Sequence, residues 1–488
     1  MINRTNTRTA KIAYFAVIHG IYFEQFPGLE ENLRRYHREL LEKIQANNVE
    51  VVDFGFVDSS EKAFEVANEI QKISPDVCFC NMITYATSSV FAPIMKSVNA
   101  PMVLLALQPR SAMDYTKANT FMQLENDNIC SVPEFTGVAI RFGKKIADII
   151  IGTLYDDEEA DKQIADWCDV AIVLHALKGA RLGLMGHVLE AMYDMHCDPT
   201  ALSAAFGVHV PLIEIEDLVE CYNEVTEEEI AAKVALINEE FEMPNPVSDP
   251  VTCKLTETDL LNSAKGAAAL DRLVKKFNLN GMAYYYEGKE GSIQRKVATS
   301  LIVGNSILNA QGTPMCGEFD IKTNLAMYIM DQLDIGGSFA ELHPFDFNDN
   351  TILIGHDGPH HIKIANGKPI LRSLIKYHGK PGSGASVEFK LKEGPITMLG
   401  ITQTHDGRFK FVIGEGYSKV GPIPPTGNTN TRGYFPPDTK DFIKRWCMEG
   451  PTHHYALGLG HKAETIKKIA DSLGIESVIV RWKQTITN

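Results

Sequence analysis

Histidine and glutamate side chains that could bind a metal ion are concentrated in the last third of the chain. Nine of the fifteen histidines lie between His343 and His461, and two glutamates, Glu318 and Glu341, stand close to this region. Two carboxylates and two imidazoles would form a ligand set that suits Mn²⁺, Mg²⁺, Co²⁺ or Fe²⁺ and leaves positions open for a substrate. Because this set contains no thiolate, structural zinc is disfavoured.

Such a centre fits the transfer of a carbonyl between C1 and C2 of a sugar. That reaction polarises two adjacent oxygens and relays a hydrogen between the carbons, by an enediol or by a hydride shift. A divalent ion that chelates both oxygens supplies Lewis acidity and orientation. A carboxylate within reach can act as base and then as acid, which contributes roughly 10²–10⁴-fold in rate.

The carboxylates and a tyrosine run also have ordinary structural interpretations. Glu318 precedes an apolar helical segment, where a negative charge favours the helix N-terminus. Glu341 could be a carboxylate at a strand end, although its apolar neighbours mean that a buried charge there needs a partner. Tyr284-Tyr285-Tyr286 could stack on a sugar, but such runs more often form a strand with one face in the core.

The histidine assignment has several alternatives. His356 follows a short apolar strand, where a hydrogen-bonded core histidine is the simpler interpretation. His360 and His361 compete with it because the Asp-Gly-Pro turn after His356 could direct them to the same place. In the pair His453-His454, either ring could instead cap a helix or face solvent.

Composition excludes several classes of function. The 488 residues are 44% hydrophobic and 22% charged, which predicts a globular chain with a sizeable core. The net charge of -15 opposes binding to nucleic acid or to an anionic membrane surface. No phosphate-binding glycine loop is present, so a neutral small molecule is the expected partner.

The lack of a signal-peptide pattern and the spacing of the cysteines favour a cytoplasmic protein. The polar N-terminus, Met1 to Ala10, lacks the apolar stretch of a signal peptide, and no run approaches eighteen apolar residues. The nine cysteines are scattered and never form paired Cys-x-x-Cys motifs, so reduced thiols are expected.

The chain is predicted to be α/β, with two doubly wound parallel-sheet domains followed by a β-rich, barrel-like domain. In the first domain, apolar strands alternate with amphipathic helices, which predicts a parallel sheet covered on both faces. The predicted strands are Lys11–Ile18, Val49–Val57, Asp76–Ile83 and Pro101–Leu107. The predicted helices are Leu29–Ala46, Glu61–Ile73, Gly137–Thr153 and Asp161–Ala180.

The predicted domain boundaries are residues 1–180, 181–330 and 331–488. The second domain opens with a strand at Arg181–Gly186 and contains a helix at Thr226–Phe241, whose Thr226 and Glu229 form a capping-box pattern. Met243–Pro250 is predicted to be a loop. From about Asp334, short strands broken by Gly, Pro and Asn predict the β-rich domain, which ends with a strand at Ser477–Trp482.

The order of the candidate residues resembles that of the L-arabinose isomerase and L-fucose isomerase family. Gly317-Glu318, then Glu341, then Gly355-His356 and finally His453-His454 are similar to the metal-binding pattern of L-arabinose isomerases. The segment from Ala180 to Gly186, followed by Glu190-Ala191-Met192-Tyr193-Asp194, also resembles the opening of the second domain in the wider group.

The resemblance implies a metal-dependent aldose-ketose isomerase that acts on a pentose or 6-deoxyhexose-type sugar, as in the conversion of L-arabinose to L-ribulose. It implies Mn²⁺, with Co²⁺, Mg²⁺ or Fe²⁺ as alternatives, bound by Glu318, Glu341, His356 and His454. The two glutamates would also be the catalytic acid and base. The protein would be a homo-oligomer, expected to be a hexamer, with sites shared between subunits.

Two departures from the family pattern concern the sugar. The segment Leu124–Gly137 has no histidine where L-arabinose isomerases place a glutamine and a histidine. The first-strand turn reads Ile18-His19-Gly20-Ile21-Tyr22 instead of Gln-His-Leu-Tyr. Two alternatives therefore stay open: a metal-dependent sugar epimerase, lyase or hydrolase on the same fold, or a non-catalytic carbohydrate-binding protein.

Overall fold

The computed structural model describes residues 2–189, 191–243, 255–374, 382–424, 428 and 430–481. The chain forms two compact units, one from Arg8 to Ala176 and one that combines residues 2–7 with the chain from Leu177 onward. Three features of the sequence prediction lie outside the described residues: the motif residue Glu190, the strand end at Trp482 and the loop after Met243. The further division of the second unit near residue 330 stays a prediction.

The unit from Arg8 to Ala176 is built on a parallel sheet with the strand order β2-β1-β3-β4-β5. Its strands are β1 (Lys11–Val17), β2 (Glu50–Val57), β3 (Val77–Asn81), β4 (Met102–Gln108) and β5 (Asp148–Thr153). Its helices are α1 (Tyr22–Gln25), α2 (Leu29–Gln45), α3 (Ser60–Ile73), α4 (Ala92–Ser97), α5 (Thr120–Glu125), α6 (Val132–Arg141) and α7 (Glu158–Leu177). Every residue of β3 is buried, as expected for a strand covered on both faces.

The helix predicted over Gly137–Thr153 is wrong in its second half. Helix α6 ends at Arg141, and Gly143 then adopts a left-handed conformation with φ of 69°. The β-branched run at residues 149–151 belongs to β5, which pairs in parallel with β4. The strand preference of three consecutive isoleucines, together with pairing to β4, outweighs the apolar spacing that suggested a helix.

The second unit opens with a smaller parallel sheet of strand order β7-β6-β8-β9. Its strands are β6 (Leu182–Met185), β7 (Leu212–Ile213), β8 (Gly281–Tyr284) and β9 (Met315–Cys316). The accompanying helices are α8 (Pro199–Phe206), α9 (Ile215–Asn223), α10 (Glu227–Glu240), α11 (Glu257–Phe277), α12 (Ile293–Ala298), α13 (Ile302–Gln311) and α14 (Ile321–Gln332). The predicted capping box at the start of α10 is confirmed: Thr226 accepts from the backbone of Glu229, whose side chain bonds back.

The remainder of this unit is an antiparallel barrel, which confirms the predicted β-rich part of the fold. The elements are β10 (Gly336–Asp346), β11 (Thr351–Gly355), β12 (Ile370–Ser373), β13 (Ala385–Glu388), β14 (Gly394–Gln403), β15 (Phe409–Lys419), β16 (Thr431–Tyr434), α15 (Thr439–Met448), β17 (Tyr455–Leu459), α16 (Ala463–Leu473) and β18 (Glu476–Val480). Strands β14-β17-β10-β11-β16-β15 follow one another, and β15 pairs again with β14 to close the ring. Strand β18 adds in parallel to β15, and β12 and β13 form a separate hairpin.

None of the helices in the described ranges is both long enough and apolar enough to cross a membrane.

Candidate metal centre

A tight turn between β9 and α14 presents Glu318. Glu318 and Phe319 both have left-handed backbones, with φ of 58° and 62°, which is unusual for consecutive non-glycine residues. The backbone N–H of Phe319 donates to the carbonyl of Tyr284 at 2.9 Å and ties the turn to β8. Asp320, and not Glu318, caps α14 by accepting from the N–H of Thr323. The strained turn therefore serves to direct Glu318 away from the helix.

The pairing register of the barrel brings the other three predicted residues to the same place. Glu341 lies on β10 opposite Gly355 of β11, and His356 is the next residue along. On the other side of β10, Ala340 lies opposite Tyr455 of β17, and His454 precedes it. Glu341 is thus flanked by the two histidines, on neighbouring strands about 5 Å apart.

Side-chain atoms of the four residues belong to two groups that share His454 and could each hold a metal ion. One group contains Glu341, His356 and His454, and the other contains Glu318, His453 and His454. His356 Nε2 lies 3.8 Å from Glu318 Oε1 and 4.0 Å from Glu341 Oε1. His454 Nε2 lies 3.6 Å from Glu318 Oε2. Glu318, Glu341, His356 and His454 are thus the residues that would hold such an ion.

Two of these atoms are buried without a hydrogen-bond partner in the described part of the chain. They are Glu318 Oε2 and His454 Nε2, the two atoms that face each other at 3.6 Å. A buried polar atom left unpaired costs about 1–3 kcal/mol, more if it is charged. A cation between a carboxylate oxygen and an imidazole lone pair would satisfy both, so the residues present fit a divalent ion.

Asp320 contacts the ring nitrogen of His454 that does not face Glu318. Its Oδ2 lies 3.2 Å from His454 Nδ1, and both side chains are buried. Burial opposes ionisation of Asp320, but the hydrogen bond with His454 and the charge of Lys322 prevail and lower its pKa to about 2. The ionised carboxylate is an acceptor only, so Nδ1 of His454 carries a proton. Burial opposes protonation of the His454 ring, but the hydrogen bond with Asp320 and the nearby carboxylates prevail and raise its pKa, so an ion that binds at Nε2 competes with a proton there. The sequence pattern assigned no role to Asp320.

The surroundings shift the ionisation of the other predicted residues. Burial raises the pKa of the Glu318 carboxyl, and the nearby His454 offsets only part of the rise. Burial, reinforced by His454, lowers the pKa of His356 well below its ordinary value. His356 is therefore neutral near pH 7, the form in which imidazole binds metals.

The competing histidines lie elsewhere or make other contacts. The ring of His360 packs edge-on against Phe389, and His361 Nε2 faces Asp331 Oδ1 at 3.7 Å. The ring of His453 contacts that of His454, with centroids 3.8 Å apart and planes tilted by 43°, and His453 belongs to a facing group with Glu318 and His454. His343, which sequence reasoning did not single out, has its Nε2 3.8 Å from Glu341 Oε1.

The buried His360 predicts a loss of stability in acid. Burial lowers the pKa of its ring to about 3, so below about pH 6.5 the unfolded chain binds a proton that the folded chain does not. This one group should lower the free energy of unfolding of the wild type by about 1.4 kcal/mol when the pH falls from 7.5 to 5.5. Urea unfolding at both pH values should show a smaller acid penalty for His360→Phe. His405→Gln, which alters an exposed side chain, should retain the wild-type difference; equal penalties in all three proteins would contradict the assignment.

A cavity of about 380 Å³ opens onto the four residues. Its wall combines the facing ligand atoms with apolar and aromatic side chains. The lining includes Met192, Tyr284, Tyr286, Ala298, Ile302, Leu374, Glu318, Glu341, His356, His453 and His454. Of the tyrosine run, Tyr284 and Tyr286 thus line the cavity, whereas Tyr285 packs against His187 with ring centroids 4.0 Å apart.

Comparison with known proteins gives one consistent result. Residues 336–476 match the family model described as the L-arabinose isomerase C-terminal domain. An L-arabinose isomerase from Nocardioides sp. is 26% identical over 83% of this chain and 80% of its own length. L-arabinose isomerase 1 from Bacillus licheniformis is 22% identical over 88% and 85%, and the Bacillus subtilis L-arabinose isomerase is 22% identical over 83% and 81%.

These relatives align along most of the chain, and the matched domain contains three of the four facing residues, Glu341, His356 and His454. Residues 336–476 are thus similar to the C-terminal domain of L-arabinose isomerases, and the chain as a whole is similar to L-arabinose isomerases, which are aldose-ketose isomerases.

Proposed function

We propose that this protein interconverts an aldose and its ketose with the help of one divalent metal ion. The substrate would be a pentose or a 6-deoxyhexose-type sugar, in a reaction of the L-arabinose to L-ribulose type. Glu318, Glu341, His356 and His454 would hold the ion. The observation that carries the proposal is the facing of Glu318 Oε2 and His454 Nε2, both buried and unpaired, beside the other two residues.

The donor set favours an ion of the Mn²⁺ class, with Co²⁺, Mg²⁺ and Fe²⁺ as alternatives, because it mixes carboxylate oxygens with imidazole nitrogens. When bound, the ion would supply Lewis acidity and orient two adjacent sugar oxygens. His356 and His454 would anchor it in their neutral forms. Because protons compete for these imidazoles, activity should fall on acidification.

Glu318 and Glu341 would be the catalytic acid and base. The side chain of Glu341 is 32% exposed and that of Glu318 is 12% exposed, and both line the cavity. In an enediol route, one glutamate would remove the proton from C2 of the aldose and return it to C1, while the other would donate a proton to O1 and accept the proton of the O2 hydroxyl. Burial raises the pKa of Glu318, which brings the carboxyl closer to the pH at which it can both donate and accept.

The cavity suits a small polar molecule. Its volume of about 380 Å³ is at the lower end of the range of about 300–1,000 Å³ seen for ligand sites. Met192, Ile302 and Leu374 supply apolar walls that would exclude water from the reacting carbons. From the family resemblance we also propose that the protein is cytoplasmic and forms a homohexamer in which a neighbouring subunit would complete each site.

Product analysis tests this proposal. Protein stripped with EDTA and reloaded with Mn²⁺ would be incubated with a panel of pentoses and 6-deoxyhexoses, and the products identified by NMR. We expect a ketose from at least one aldose, loss of more than nine-tenths of the rate after EDTA and recovery with Mn²⁺.

Other products would point to the alternative functions. Epimers or cleavage products would favour an epimerase or lyase, and sugar affinity that survives EDTA without turnover would favour a binding protein. The same reaction in D₂O identifies the route. Deuterium at the transferred position indicates an enediol, and its absence indicates a hydride shift.

A further inference from the structure

Asp194 makes two contacts with a single residue at the cavity, His453. One carboxylate oxygen, Oδ2, accepts from the backbone N–H of His453 at 3.0 Å and lies 2.6 Å from its ring Nδ1. Asp194 belongs to the motif that resembles the second-domain opening of sugar isomerases, and the metal cluster leaves it without a role. Two contacts from one oxygen fix both the backbone and the ring of His453.

These contacts determine which ring nitrogen of His453 is available. A carboxylate only accepts hydrogen bonds, so the short contact requires the proton of His453 on Nδ1. The free nitrogen of the neutral ring is then Nε2, which can accept a hydrogen bond but cannot donate one. His453 lines the cavity and its side chain is 38% exposed, so a ligand in the cavity can reach the ring.

The segment that carries Asp194 borders the cavity on one side and is anchored to α14 on the other. Before it, Met192 contributes to the cavity wall. After it, the carbonyl of His196 accepts from Nζ of Lys322, a lysine of α14 that is 1% exposed. Asp194 is therefore held in place by the helix that follows Glu318.

We propose that Asp194 is a positioning residue that directs Nε2 of His453 to accept a hydrogen bond from a sugar hydroxyl not held by the metal ion. This inference rests on the proposed isomerase function. Both rings belong to a facing group with Glu318, but they would have different tasks: His454, backed by Asp320, would hold the ion, and His453, backed by Asp194, would bind the remainder of the substrate. The pairing of each histidine with its own aspartate assigns these tasks.

The test uses Mn²⁺-loaded enzyme and a pentitol, the reduced and unreactive form of the substrate sugar. Calorimetry gives the pentitol Kd, steady-state kinetics gives KM and kcat, and elemental analysis gives the metal content. Asp194→Ala and His453→Gln should each retain about one ion per chain. Both should raise the pentitol Kd and KM about tenfold or more, with a smaller change in kcat.

Three comparisons separate a positioning role from a structural one. Asp194→Asn retains an acceptor oxygen and should recover part of the affinity that Asp194→Ala loses. Asp194→Ala should have no further effect in the His453→Gln background, because Asp194 acts through that ring. Asp198→Ala, which removes the N-cap of α8 a few residues along the same segment, should lower Tm without changing KM.

Loss of the metal ion from Asp194→Ala or His453→Gln would overturn the inference, because His453 would then be a ligand. An unchanged pentitol Kd, or additive effects in the double variant, would overturn it as well. Wild-type metal content and turnover, measured in the same series, report separately on the proposed function. An active wild type with unaffected Asp194 variants would contradict this inference alone.

Discussion

Glu318→Gln is expected to lower kcat by at least about 10³-fold, the largest effect of any single substitution that we predict. The change removes a negative charge from the ligand set and a proton-transfer group from the cavity at once, and the second loss alone is worth roughly 10²–10⁴-fold. Glutamine preserves the size of the side chain, so the turn at Gly317–Phe319 should persist. Single-turnover rates with Mn²⁺ in excess would measure the effect.

Glu287→Gln is the matched control for this experiment. Glu287 lines the same cavity but lies outside the groups of facing ligand atoms. We expect its substitution to change kcat less than tenfold and to leave the metal content at the wild-type value. Full turnover in Glu318→Gln, or an equal loss in both variants, would refute the role assigned to Glu318.

Asp320→Asn is expected to weaken Mn²⁺ binding about 10- to 100-fold, although Asp320 does not face the proposed ion. Ionised Asp320 holds the proton on His454 Nδ1 and makes the opposite nitrogen a better ligand; loss of such a partner typically has an effect of this size. Asparagine remains a good N-cap, so the start of α14 should be retained. A competitive chelator titration gives the Mn²⁺ Kd.

Asp331→Asn controls for the removal of a buried charge. Asp331 lies on the same helix, is 2% exposed and pairs with Arg4. Its substitution should lower Tm but leave the Mn²⁺ Kd within about threefold of the wild type. If Asp320→Asn binds Mn²⁺ as tightly as the wild type, the proposed coupling between Asp320 and His454 is wrong.

The parts of the fold that the sequence predicts well are those governed by local patterns. Continuous apolar strands such as Val77–Asn81 and the capping box at Thr226 are set by neighbouring residues, and the structure contains both. The segment Asp148–Thr153 was predicted incorrectly because its strand state depends on pairing with β4, about 45 residues earlier. A helical spacing of isoleucines contains no information about that partner.

The candidate site likewise has a part that the sequence predicts and a part that depends on contacts between distant residues. Order and residue type along the chain were sufficient to name four residues, but the reason they meet is the barrel register, which sets Ala340 opposite Tyr455 across 115 positions. The supporting carboxylates were missed because each acts on a histidine far away in sequence. Asp320 reaches His454 and Asp194 reaches His453 over separations of 134 and 259 residues.

The most direct test of the central claim is anomalous diffraction at the manganese edge from crystals grown with Mn²⁺. We expect one strong peak, about 2.0–2.3 Å from oxygens of Glu318 and Glu341 and from Nε2 of His356 and His454. No peak at that position, or an ion bound by His453 in place of His454, would contradict it.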